Sequence, residues 1–171
     1  NSKIILSTWE DEIDKNFYEY FKDKFEIILN KKPKNILYNT DLQIISTNKA
    51  LKIARLNNCK YVLKTRTDCR VYNKNSINHL KNLLKLFPIN KKYENLNSRI
   101  ISCSVDTRKY RVYGLSDIFL FSEINNLEIY FNEENYINSL ERYFGKYPCI
   151  INETAVINEI FLCARFLKKI N

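Results

Sequence analysis

Glycine and proline are scarce: the 171 residues include Gly 2 and Pro 3. An all-β chain of this size would need such residues at many tight turns, so that class is excluded. Methionine is absent altogether, and the chain opens on Asn1, so a trimmed or partial chain is expected. No apolar run reaches the ~18 residues that would mark a membrane span. Lys3-Ile4-Ile5-Leu6 is too short for the core of a secretory signal. His79 is the only histidine, and Cys59, Cys69, Cys103, Cys149 and Cys163 form no CxxC or CxxH pair. That argues against a zinc site and for reduced, mostly structural thiols. Disorder is excluded by a hydrophobic content of 45% with 13% aromatics.

What is present in excess is positive charge, +9 overall. Basic proteins meet nucleic acid, anionic membrane surfaces or phosphorylated ligands. The abundance of Asn, Lys, Ile and Tyr throughout the chain yields the same surplus from codon bias without any function. No RNA-stacking motif is visible among the scattered tyrosines, and no nucleic-acid partner is expected.

The length suits one domain over residues 1–171. Short buried strands are expected at residues 3–9, 25–30, 61–64 and 117–122, with two more at 99–104 and 110–113. Helices are expected over 10–24, 41–57, 76–87, 135–143 and 153–167. The aromatic residues Phe17, Tyr18, Tyr20, Phe21 and Phe25 would line one face of the first helix, and Pro88 ends the third. His79 lies among apolar positions of that third helix and reads as structural. A helix followed by a buried strand favours a crossover and a parallel sheet, hence the α/β class.

In open α/β sheets, ligands bind where strands end. Residues 61–64 run into Thr65-Arg66-Thr67-Asp68-Cys69-Arg70, a single carboxylate flanked by cations. A diphosphate needs such cations, backbone N–H groups or a divalent metal; Asp68 could hold Mg²⁺ or Mn²⁺, or could form a surface ion pair. Ser7, Thr8 and Trp9 follow the first strand, where hydroxyls can bond a ribose or base and a Trp can wall a pocket, unless they are a cap and a core residue. Asn39, Gln43, Ser46 and Thr47 form a polar set at the opening of the 41–57 helix. Asp117 stands at a strand entry and Glu153 at the opening of the last helix; either could receive a hydroxyl proton.

Taken in order, Ile5-Leu6-Ser7-Thr8-Trp9-Glu10, the Asn39 to Ala54 segment, Tyr61-Val62-Leu63-Lys64-Thr65-Arg66-Thr67-Asp68 and Leu115-Ser116-Asp117-Ile118-Phe119-Leu120-Phe121 resemble the WavE-type lipopolysaccharide-synthesis family of bacterial glycosyltransferases. The likeness covers nearly the whole chain and is weakest over 85–113. It implies a GT-A-like fold, with a Rossmann-type sheet binding a nucleotide sugar at its carboxyl edge. It also implies a glycan or lipid-linked acceptor and a cytoplasmic location, extending to peripheral contact with the anionic inner face of the membrane. Thr67-Asp68-Cys69-Arg70 stands where such enzymes carry a DxD element, with Arg66 and Arg70 in alternating positions. Asn152-Glu153 replaces the family's Pro-Glu, and Lys49 replaces a family glycine. By this resemblance Ser7, Thr8 and Trp9 border the nucleoside. Gln43, Ser46, Thr47, Lys64, Arg66 and Arg70 serve nucleoside or diphosphate, with Asn39 beside them. Asp68 binds ribose, phosphate or metal, and Asp117 or Glu153 serves the acceptor. The rival reading is a non-catalytic domain that binds carbohydrate or nucleic acid.

Overall fold

The computed structural model describes residues 2–34, 39–105, 107, 113–132 and 158–170. The expected strand residues 110–112, the helix over 135–143 and Glu153 lie outside these. The chain order is β1 (Ile5–Trp9), α1 (Lys15–Phe21), β2 (Glu26–Asn30), α2 (Asn39–Leu56), β3 (Tyr61–Lys64), α3 (Ser76–Leu86), β4 (Ile101–Ser102), β5 (Leu120–Glu123), α4 (Ile124–Phe131) and α5 (Asn158–Ile170). The class is α/β.

Local chemistry sets the boundaries. Asp14 caps α1 by accepting the Phe17 N–H at 3.0 Å. Helix α2 ends in a Schellman motif: Asn58 turns left-handed at φ 53°, its N–H reaches the Arg55 carbonyl, and the Cys59 N–H reaches that of Ala54. Helix α3 stops at Leu86, two residues before Pro88.

Two small sheets result. β1 and β2 pair in parallel through the α1 crossover, in register from Ile5↔Glu26 to Trp9↔Asn30. The second sheet has the order β3-β5-β4 and is antiparallel throughout. The parallel pairing expected after the second helix is therefore not what β3 makes; its hydrogen-bonded neighbour is β5. The reason lies in β5 itself. Its alternate residues are buried on both faces, Leu120 toward α2, α4 and α5, and Phe121 toward Leu80 and Leu84 of α3. A strand apolar on both sides takes the centre of a sheet, with shorter strands on its flanks.

Helix α4 follows β5 with no loop and was not anticipated. Leu127, Tyr130 and Phe131 are fully buried, in the main core with Ile44 and Leu51 of α2 and Phe161, Leu162 and Phe166 of α5. Conversely, α1 buries no residue: its aromatics form a surface cluster in which Phe17, Tyr20 and Phe25 contact Phe21. His79 is exposed on α3, not part of the core.

Asn57 aligns the strands. Lys3, just before β1, donates to its side-chain oxygen, and its amide nitrogen donates to Glu26 at the start of β2, while β3 begins shortly after it. β1 and β2 thus start side by side at the end of α2, which runs back along β1 with its Ser46 carbonyl at Ser7. β3 starts after the same turn and ends at Lys64, its carboxyl edge.

Candidate functional site at the carboxyl edge

Three segments far apart in sequence meet at this edge. Lys64 closes β3, and its Nζ donates to the backbone carbonyl of Asp117, 53 residues away, just upstream of β5. The Asp117 turn is itself held. Ser102 Oγ donates to the Ser116 carbonyl at 2.7 Å, and the Ser116 N–H donates to Thr107 Oγ1 at 3.0 Å. Asp117 is 7% exposed. Phe131, at the end of α4, lies with its ring centroid 6.0 Å from Lys64 Nζ, and its carbonyl accepts from Asn48 of α2 at 2.8 Å.

Burial lowers the pKa of Lys64, and nearby Arg66 lowers it further; Asp117, Cys69 and Glu159 act in the opposite direction. Glu159 opens α5, and its charge also reaches Tyr130. The Tyr130 hydroxyl is buried with no hydrogen-bond partner among the described residues, and burial raises its pKa well above the usual tyrosine range. The Cys163 thiol, also within electrostatic reach of Tyr130, is pushed up by burial.

Just beyond β3 the chain is exposed. Arg66 grips Asp68 with both arms, Nε to Oδ1 at 3.0 Å and Nη2 to Oδ2 at 2.7 Å. The Asp68 carboxyl is accordingly held below its ordinary range, chiefly by that guanidinium. Cys69 Sγ contacts Asp68 Oδ1 at 3.7 Å, and Arg70 is exposed. Both Asp68 oxygens already serve Arg66, and among the described residues no group of three His, Cys, Asp or Glu side chains stands close enough to hold a metal. The donor set around Asp68 therefore does not fit Mg²⁺ or Mn²⁺.

The β1 residues expected at a nucleoside are used internally. Ser7 Oγ donates to the Ser46 carbonyl at 2.8 Å and accepts from Asn30 Nδ2 at 2.9 Å, which welds β1 to α2 and β2. Asn30 Nδ2 also donates to the Thr8 carbonyl at 2.7 Å. Trp9 and Thr47 are buried, and Ser46 Oγ bonds back to the Gln43 carbonyl at 3.2 Å. Asn39 is exposed at the first turn of α2. The side-chain oxygens of Gln43 and Asn30 are buried without a hydrogen-bond partner among the described residues. Lys64 and Asp117 thus come together directly, whereas the Ser7 hydroxyl and the Trp9 ring are spent inside the fold.

Asn30, Tyr130 and Glu159 escaped the sequence reading. Ile124, Leu127 and Phe131 recur at helical spacing, and that period was the available signal for the Tyr130 helix. Two clefts open elsewhere. One of about 260 Å³ lies at the opposite edge among Arg55, Lys60 and Glu123, and one of about 390 Å³ lies between α3 and β4. No family model, curated protein or solved structure matches this chain.

Proposed function

We propose that the carboxyl edge binds a nucleotide-sugar donor and that the protein is a cytoplasmic, GT-A-like glycosyltransferase acting on a surface-glycan or lipid-linked acceptor. The observation that carries this reading is the Lys64 to Asp117 contact. It brings a cation and a carboxylate-bearing turn together at the end of β3, and strand ends are where open α/β sheets hold ligands.

The chemistry follows from charge. As the acceptor oxygen bonds to the anomeric carbon, the bond from that carbon to the diphosphate breaks, and the electron pair leaves with the diphosphate. In this reading Lys64 and Arg70 meet that charge, and preorganised cations lower the barrier more than they stabilise bound substrate. The acceptor proton passes to a carboxylate: Asp117 at this edge, or Glu153. Asp68 acts through Arg66, holding the guanidinium beside the strand end, and no step runs through a metal.

The fork between Arg66 and Asp68 also favours a second reading, a non-catalytic sugar-nucleotide or glycan binder, because it leaves Asp68 committed to its neighbour. A thermal-shift screen of UDP-, GDP-, CMP- and dTDP-sugars, with and without Mn²⁺, tests donor binding, since a ligand that binds only the folded state stabilises it by mass action. The transferase reading expects a shift with at least one donor, independent of Mn²⁺, plus release of the nucleoside diphosphate. Binding without release selects the second reading, and no shift with any donor rejects both.

A further inference from the structure

Helix α3 ends beside a cleft. Its Leu80 and Leu84 pack inward on Phe121 of β5, with Leu83 and Ile101 partly buried against them. β4 is short, Ile101–Ser102, and among the described residues it pairs with β5 alone. At the last turn of α3, Leu86 and Phe87 stand exposed. A cleft of about 390 Å³ opens between this turn and β4, lined by Leu83, Leu84, Phe87, Arg99, Ile100 and Ile101. Arg99 is the one charged residue of this lining, and the other five are apolar. None of the six is assigned above to donor or acceptor, so the cleft stands apart from the proposed transfer chemistry.

Arg99 is anchored by its inner nitrogen. Nε donates to the carbonyls of Phe87 and Pro88, at 3.1 and 3.2 Å, where the chain leaves α3. Those two bonds fix the plane of the guanidinium. Its Nη groups have no hydrogen-bond or ion-pair partner among the described residues, and Arg99 is exposed. A guanidinium held in this way presents a ready pair of donors. The group that matches the pair is a planar carboxylate, and no lining side chain supplies one.

Small-molecule sites have volumes of ~300–1,000 Å³ and mostly apolar walls, with a few polar groups that fix orientation. This cleft has that size and that composition. An apolar wall with a single cation calls for a hydrocarbon body that ends in one negative charge. We propose that the cleft binds an aliphatic carboxylate of medium chain length. Its carboxylate sits on the Arg99 Nη groups, and its chain lies along Leu83, Leu84, Phe87, Ile100 and Ile101. A peptide carboxyl terminus is a poorer fit, because its backbone N–H and C=O groups need partners that the five apolar side chains lack. A nucleotide is poorer still, since burying its polar body against that wall is unfavourable.

A ¹H–¹⁵N correlation titration of the whole chain with hexanoate, octanoate and decanoate, each below its micellar concentration, is the experiment. Octan-1-ol and a leucine-terminated tripeptide are the comparison ligands. The Arg99→Gln variant, checked for native circular dichroism, is the comparison protein. The expected result is saturable shifts at Leu83, Phe87, Arg99 and Ile101, while Ile4, Tyr20 and Leu56, exposed apolar residues elsewhere, stay unmoved. Affinity rises by up to about fourfold for each methylene buried, and octanol binds about tenfold more weakly than octanoate. Arg99→Gln brings octanoate down to the level of octanol. Equal shifts at Ile4, Tyr20 and Leu56, no gain with chain length, equal affinity for octanoate and octanol, or no binding overturns the proposal. So does wild-type affinity for octanoate in Arg99→Gln, and if that variant does not fold the wild-type arms decide alone. Binding of the tripeptide in place of octanoate also overturns it and assigns the cleft to peptide termini.

Discussion

Lys64 is held between two opposing forces. Burial favours its neutral form, while Asp117 and Glu159 favour its charged one, and burial wins. The sign of the consequence is fixed. The folded value lies below that of the unfolded chain, so at pH values between the two the unfolded chain holds more protons, and raising the pH favours folding. The penalty for burying the charge is complete below the lowered value and is relieved as pH rises toward the ordinary lysine value of ~10.4. Urea unfolding of wild type and Lys64→Met across alkaline pH should therefore show the difference moving in favour of wild type as pH rises. A difference that stays constant would show that Lys64 titrates as an ordinary surface lysine. Lys64, Arg66, Asp68 and Asp117 were legible as candidates because their charges break an apolar pattern. Asn30 was not, since its amide spans to the neighbouring strand only in the observed register, and register is not written in one strand alone. Nor does sequence say that Ser7 spends its hydroxyl on the Ser46 carbonyl.

The elements divide into those with a clear period and those without. Helices α2 and α3 begin and end within a few residues of expectation, because their caps and apolar spacing are local signals. β3 was legible in place but not in partner: pairing depends on which strand offers two buried faces. Helix α4 was missed because it runs on from β5 without a turn residue, and a continuous apolar run does not separate strand from helix. Yet α4 is the best-buried helix among the described residues. Truncating Leu127 to Ala should cost about 2–5 kcal/mol, as large-to-small changes in packed cores do, whereas Phe17→Ala on α1, which buries nothing, should cost far less. Urea midpoints of the two variants measure this. Equal losses would mean that α1 is part of the core and that the layer order given above is wrong.

On the scale of the whole molecule, the two edges of the sheets differ in kind. The amino edge, tied at Asn57, carries the fork between Arg55 and Glu128 and the small cleft beside Lys60. The carboxyl edge of β3 brings Lys64 to the Asp117 carbonyl, with Glu159 within electrostatic reach. Composition predicted the class. It could not show that the Ser7 hydroxyl and Trp9 are used inside the fold while Lys64 reaches the Asp117 carbonyl, because that division depends on which side chains the folded core consumes. The central claim is that a nucleotide sugar binds at the carboxyl edge. The most direct test is a ¹H–¹⁵N correlation titration of the labelled protein with the nucleotide sugar that gives the largest thermal shift. The account predicts saturable shifts at Gln43, Lys64, Arg66, Arg70, Asp117 and Glu159, with Arg55, Lys60 and Asn125 unmoved. Shifts confined to Arg55, Lys60 and Asn125, or none at saturating ligand, would contradict it.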